Sequence, residues 1–195
     1  MRITLLLIFG LISSSAFGQH RMGNSPYAGQ QERQIKSLSQ DDIDQIKAGK
    51  GWGLAKMAEL NGYPGPSHVL ELANELDLSS DKKVEVEKLF TEMQSTAIEK
   101  GEAFLKAEQA LEDAFQSGEI DHQKLEKLIR ESALKRGELR MVHLEAHLKM
   151  MEILSVEQIE KYNELRGYST MEDPCENIPE GHNPEMWKKH NGCNR

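Results

Sequence analysis

The chain is short of the signals that announce chemistry. It has two cysteines, Cys175 and Cys193, near its C-terminal end, enough for one disulfide or two thiolate ligands. It carries no Gly-rich phosphate loop, no G-x-S-x-G, no H-E-x-x-H and no C-x-x-C-H. Those absences argue against the phosphate-loop, serine-hydrolase, zinc-protease and haem classes and favour a non-enzymatic role. In "HLEAH" Glu145 does not follow the first histidine directly, as a zinc protease requires, so it points away from the pair. No segment alternates Val, Ile and Thr as strands do. Cationic residues are outnumbered, 24 Lys and Arg against 32 Asp and Glu, for a formal charge of −8. An acidic surface of this kind disfavours nucleic acid and anionic lipid and tolerates cations or basic protein segments.

The N-terminal "MRITLLLIFGLISSSAFGQ" reads as a secretory signal peptide: one basic residue, an apolar run from Ile3 to Ile12, small residues at Ala16 and Gly18, and a cut after Gly18. The run is shorter than the roughly 20 residues that span a bilayer, and no second one follows. Loss of Arg2 with the leader takes the charge from −8 to −9. The expected product is a periplasmic chain of about 175 residues, enough for one domain with a real core. In such a compartment Cys175 and Cys193 are expected to form a disulfide, with thiolate metal ligation as the alternative. That bridge would close the tail at 169–195, and in the chain-entropy model it is worth about 3 kcal/mol.

What is present is helical. Residues 19–38 are polar, lack an apolar period, and read as a mobile lead-in. Between 39 and 66, Ser39 and Asp42 form a cap-like pair, Gly49 ends a first short helix, Leu54–Leu60 make a second, and "GYPGP" stops it. Pro66 and Ser67 open "SHVLELANEL", which places Val69, Leu72, Ala73 and Leu76 on one side. Two long helices follow. The first runs from Asp81 to about Phe115, burying Val86, Leu89, Phe90, Met93, Ala97, Phe104, Leu111 and Phe115. Gly118 and Asp121 punctuate a short connection. The second runs from His122 to near Leu154, burying Leu125, Leu128, Ile129, Leu139, Val142, Ala146, Met150 and Ile153. Ser155 and Gln158 cap a last short helix that Gly167 terminates. The fold class is all-α, a long antiparallel helical hairpin over 67–168 with shorter flanking helices.

In "MVHLEAHLKMMEIL", His143, His147 and Met151 recur every fourth residue, which stacks them on one helix face. On a wheel His143 lies about 40° from the centre of the apolar stripe, with His147 next and Met151 at the edge. The trio fits a metal site between packed helices, and equally the edge of an ordinary core. Neutral imidazole suits zinc, copper and nickel, and a Met sulfur suits copper(I). Because a helical pair falls short of a full ligand set, His68 with Glu71, opening the first core helix, is the candidate supplement. The tail repeats the spacing in His182, Met186 and His190, as a second metal site or a docking segment.

"LDLSSDKKVEVEKLF" and "EILSVEQIEKYNELRG" each open a helix with a Leu-Ser/Thr-x-x-Gln-like element and bracket the hairpin. In this the chain resembles the periplasmic Spy/CpxP superfamily, including its metal-associated CnrX and ZraP types, over roughly Val69 to Tyr168. Leu154, Ser155, Val156, Glu157 and Gln158 fit the pattern with Ser for Thr; the first element has Lys82 where Gln is expected. The resemblance implies helical hairpins paired as a homodimer. It implies holding of unfolded proteins without ATP, modulation of an inner-membrane sensor, or binding of nickel or cobalt through histidines, a Glu and a Met. Carried over to this chain, the CnrX-type site implies His143 or His147 with Met151, and His68 or Glu71. The early His-x-x-x-His pair of that type is absent here. The expectation is a metal sensor or resistance protein taking zinc, copper, nickel or cobalt.

Overall fold

A computed structural model describes residues 25–168 and, in the tail, Pro184, Glu185, Lys188 and Cys193. All regular structure among them is helical: α1 Gln40–Lys47, α2 Lys56–Glu59, α3 Pro66–Glu71, α4 Ser80–Gln116, α5 His122–Ile153 and α6 Val156–Leu165. The chain divides into two compact units, Met1–Glu32 and Arg33–Arg195. The first contributes a 3₁₀ turn at Gln30–Glu32 among its described residues.

Local chemistry sets the helix starts. At α1 the Ser39 hydroxyl accepts from the Asp42 amide at 3.1 Å, and the Asp42 carboxylate accepts from Ser39 N at 2.8 Å. Trp52 Nε1 donates to the same carboxylate at 2.8 Å. These bonds, Ser39's first and then Trp52's, hold the Asp42 pKa below its ordinary value. Ser79, Asp121 and Ser155 cap α4, α5 and α6 in turn. Gln158 completes a capping box with Ser155 and also donates to Leu76 O at 3.0 Å. Lys82, the residue that departs from the expected pattern, donates to Gln158 Oε1 at 2.8 Å, so the starts of α4 and α6 are tied together.

The long helices α4 and α5 run antiparallel. Ser132 donates to Glu108, and further along Lys100 lies 3.8 Å from Glu138. Against them pack two apolar clusters. One joins Ile35, Leu38, Ile43, Ile46 and Leu54 to Ala97, Phe104 and Leu139. The other joins Val69 and Leu76 to Val86, Leu89, Ala146, Met150, Leu154 and Tyr162. Burial of such side chains, at about 25 cal/mol per Å² of apolar surface, is the main term holding the helices together. At the α1–α4 crossing the backbones approach closely, since a Cβ on Gly101 would lie 2.9 Å from Ile46 O.

Three expectations change. The lead-in does not run to residue 38, because Ile35 and Leu38 are buried and Ser37 Oγ donates to Glu108 at 2.8 Å. The third helix ends at Glu71, and the rest of "LANEL" forms turns in which Asp77 has φ of 48°. Phe115 and Ile129, expected in the core, are 58% and 48% exposed. They lie toward the end of the hairpin where residues 117–121 connect α4 to α5.

Candidate functional site

Along α5 the first cluster ends near Leu139 and Val142 and the second begins at Ala146 and Met150. His143 and His147 fall at this junction, and both are buried. The opposing wall comes from short pieces. α2 ends on Glu59, the turn Asn61–Gly65 reverses the chain, and Gly65 and Pro66 open α3, which carries His68. The result is a pocket of about 410 Å³ whose lining includes Glu59, Gly65, His68, Phe90, His143 and His147.

Hydrogen bonding assigns protons to two of the three imidazoles. His147 Nδ1 lies 2.7 Å from Tyr63 O. A backbone carbonyl only accepts, so Nδ1 carries the hydrogen and the neutral ring keeps its lone pair on Nε2. His68 Nδ1 lies 3.0 Å from Glu59 Oε1, so Nδ1 donates to the carboxylate, and in the neutral form of the ring the lone pair is on Nε2. His143 Nε2 is buried with no hydrogen-bond partner. Its pKa is pushed below the ordinary imidazole value, first by burial and second by the neighbouring His147. At neutral pH it is an uncharged ring.

Glu59 is the centre of the charge balance, an acid only 8% exposed. Its Oε1 accepts from the Tyr162 hydroxyl and from His68, and lies 3.5 Å from Arg166 Nε. Burial raises the Tyr162 pKa, and the bond to Glu59 raises it further, so the phenol stays a donor. Oε2 takes part in none of these bonds and lies 3.9 Å from His147 Nδ1. A Cβ built on Gly65 would stand 3.2 Å from Glu59 Oε2 and 3.3 Å from His147 Nε2. Glycine here keeps open the space that those two donor atoms share.

The structure thus brings His68, His143 and His147 to one pocket. Glu71 is exposed on α3, and Met151, 36% exposed, lies outside the pocket lining. Glu59, which the sequence reading did not single out, supplies the carboxylate. Glu59 lies one helical turn after Ala55 and both are buried, but the four residues of α2 are too few for their spacing alone to mark a buried face. His182, Met186 and His190 lie outside the described residues, as does Cys175. Cys193 is disulfide-bonded.

The donors meet a metal's chemical needs in part. Neutral imidazoles whose second nitrogen is held by a carbonyl or a carboxylate are the arrangement found around protein-bound metal ions. The unpartnered His143 Nε2 and the space beside Gly65 fit the same requirement. Their spacing is open: among the described residues no group of three or more His, Cys, Asp or Glu is already gathered tightly enough to hold an ion. No helix among the described residues is long and apolar enough to cross a membrane. No family model, curated protein or solved structure matches the chain.

Proposed function

We propose that this is an exported, non-enzymatic metal-binding protein, a sensor or resistance component of an envelope-stress or heavy-metal response. The observation that carries the reading is the proton assignment in the pocket. His68 and His147 each give their Nδ1 hydrogen to an oxygen acceptor and keep Nε2 free, beside a third buried imidazole whose Nε2 has no partner. Leaving a buried polar atom unpaired costs about 1–3 kcal/mol, a cost that a ligand can offset. With Met151 outside the pocket, the donors are imidazole nitrogen and carboxylate oxygen, which favours zinc, nickel or cobalt(II) over copper(I). Closing on an ion would draw the Glu59–His68 wall toward α5. The resemblance of Leu154–Gln158 and its surroundings to the Spy/CpxP superfamily agrees with this role, a periplasmic location and a homodimer.

Equilibrium dialysis against zinc, nickel and cobalt tests the proposal, with Gly65→Ala as the most discriminating variant. Gly65 has φ of −91° and ψ of 140°, which alanine adopts without strain. Its methyl would occupy the space between Glu59 Oε2 and His147 Nε2. We expect binding in the wild type, loss of it in His143→Ala/His147→Ala, and at least about tenfold weaker binding in Gly65→Ala, whose Cβ, 3.0 Å from His147 Cε1, also displaces that ring, so its folding is checked by thermal unfolding. Undiminished binding in both variants would refute the assignment.

A second reading, an ATP-independent holdase or a partner of an inner-membrane sensor, is favoured by a different surface. Leu134, Met141 and Leu148 recur every seven residues on α5 and are 59%, 55% and 56% exposed. Among the described residues such a stripe is an exposed apolar seam, the kind of surface that takes another chain. The two readings are compatible, because the stripe faces away from the pocket.

A further inference from the structure

The pocket's carboxylate sits on the shortest α-helix among the described residues. α2 is four residues long, and no side chain caps it. One helical turn does not fix a buried glutamate, so its position comes from what holds it. His68 holds it from α3, and α6 contributes two groups one turn apart, the Tyr162 hydroxyl and the Arg166 guanidinium. Tyr162 has no exposed surface, and its ring packs in the second apolar cluster. Its hydroxyl is also 3.4 Å from His68 Nδ1, which places it at the centre of the group.

The two α6 residues act on Glu59 in different ways. Tyr162 is a neutral donor: its bond occupies Oε1 and leaves Oε2 turned toward Gly65 and His147, without cancelling the negative charge. Arg166 is a cation 3.5 Å from the same carboxylate. Its Nε is buried and makes no hydrogen bond, so its tie to Glu59 is charge attraction and not a specific bond. The guanidinium also reaches the Tyr168 ring, 5.6 Å from its centroid, and donates to the Tyr168 hydroxyl at 3.2 Å. It therefore has a second anchor when its claim on Glu59 weakens.

We propose that Tyr162 and Arg166 set the pocket's affinity for a divalent cation in opposite directions, Tyr162 by orienting Glu59 for binding and Arg166 by competing, as a resident cation, for its charge. The inference rests on the metal reading of the same pocket. It also makes α6 a coupled element: what supports the binding pose of Glu59 is itself stabilised when an ion binds.

Isothermal titration of cobalt(II) into the full chain tests this, with the visible spectrum of bound cobalt recording the coordination sphere. Tyr162→Phe keeps the ring and removes the hydroxyl; we expect about tenfold weaker binding and an altered spectrum, since Glu59 is no longer oriented. Arg166→Gln removes the competing charge; we expect about tenfold tighter binding with an unchanged spectrum. Arg166→Lys, keeping the charge, should return the affinity to near the wild-type value. Thermal unfolding of each metal-free variant confirms that it is folded, and the Arg166 pair decides the matter if Tyr162→Phe is not. Weaker or unchanged binding in Arg166→Gln overturns the inference. A wild type that takes up no cobalt sinks the metal reading itself, whereas uptake with one affinity in all variants sinks only the role of α6.

Discussion

His143 puts an imidazole where a leucine would pack at lower cost. It is 3% exposed, its Nε2 is unpartnered, and the surrounding α5 positions Leu139, Ala146 and Met150 are core. Replacing an unsatisfied buried polar group by an apolar one of similar size is neutral or stabilising. We therefore expect His143→Leu to leave the metal-free protein as stable as the wild type or more so, measured by denaturant unfolding with chelator present, while it loses metal. The same residue sets a pH dependence. Its folded pKa lies below the value of about 6.5 that a free imidazole has, so the unfolded chain binds the proton more readily. Its contribution is fully present above that value and is lost as pH falls through it toward the folded pKa. Unfolding of the metal-free wild type at pH 7.5 and 5.5 should show a larger loss than in His143→Leu. Parallel losses would mean that His143 is not the buried neutral ring described here.

At the scale of elements, two glycines in the long helices make a matched test of packing. Gly101 on α4 touches α1, and an added Cβ would meet Ile46 Cγ2 at 2.8 Å and Ile46 O at 2.9 Å. The backbone oxygen cannot step aside. Overpacking of about 1–3 kcal/mol then outweighs the gain of about 1 kcal/mol from replacing a helical glycine. On α5, a Cβ on Gly137 meets nothing within 4 Å. Gly101→Ala should lower the melting temperature by a few degrees, and Gly137→Ala should raise it by a similar amount. The sequence made these elements legible wherever they were long or carried a cap: Ser39, Asp121 and Ser155 each start a helix as their chemistry requires. It concealed Glu59 because four residues of α2 hold too little periodicity to define a face. It concealed the burial of Ile35 and Leu38 because they precede the first helix and join no repeating pattern. The histidines were visible by spacing, while the acceptors that fix their protons, Tyr63 O and Glu59, come from a turn and a short helix that only the tertiary fold brings near.

For the whole molecule, the pocket and the exposed stripe are separate properties of one hairpin. The stripe lies on the side of α5 opposite the core positions Leu139 and Ala146, so changes there should leave the pocket intact. Met141→Lys/Leu148→Glu is expected to reduce self-association in sedimentation and suppression of a model client's aggregation, with metal uptake unchanged. Loss of metal uptake in that variant would instead mean that the two faces are coupled. The central claim concerns the pocket, and it is tested most directly by X-ray absorption at the metal edge of the protein after loading with zinc or cobalt and removal of excess ion. We expect retained metal surrounded by imidazole nitrogens, about 2.0–2.1 Å away for zinc, and carboxylate oxygen, without sulfur, and loss of the imidazole signal in His143→Ala/His147→Ala. A sulfur-rich shell, a shell of water alone, or an unchanged imidazole signal in that variant would contradict it.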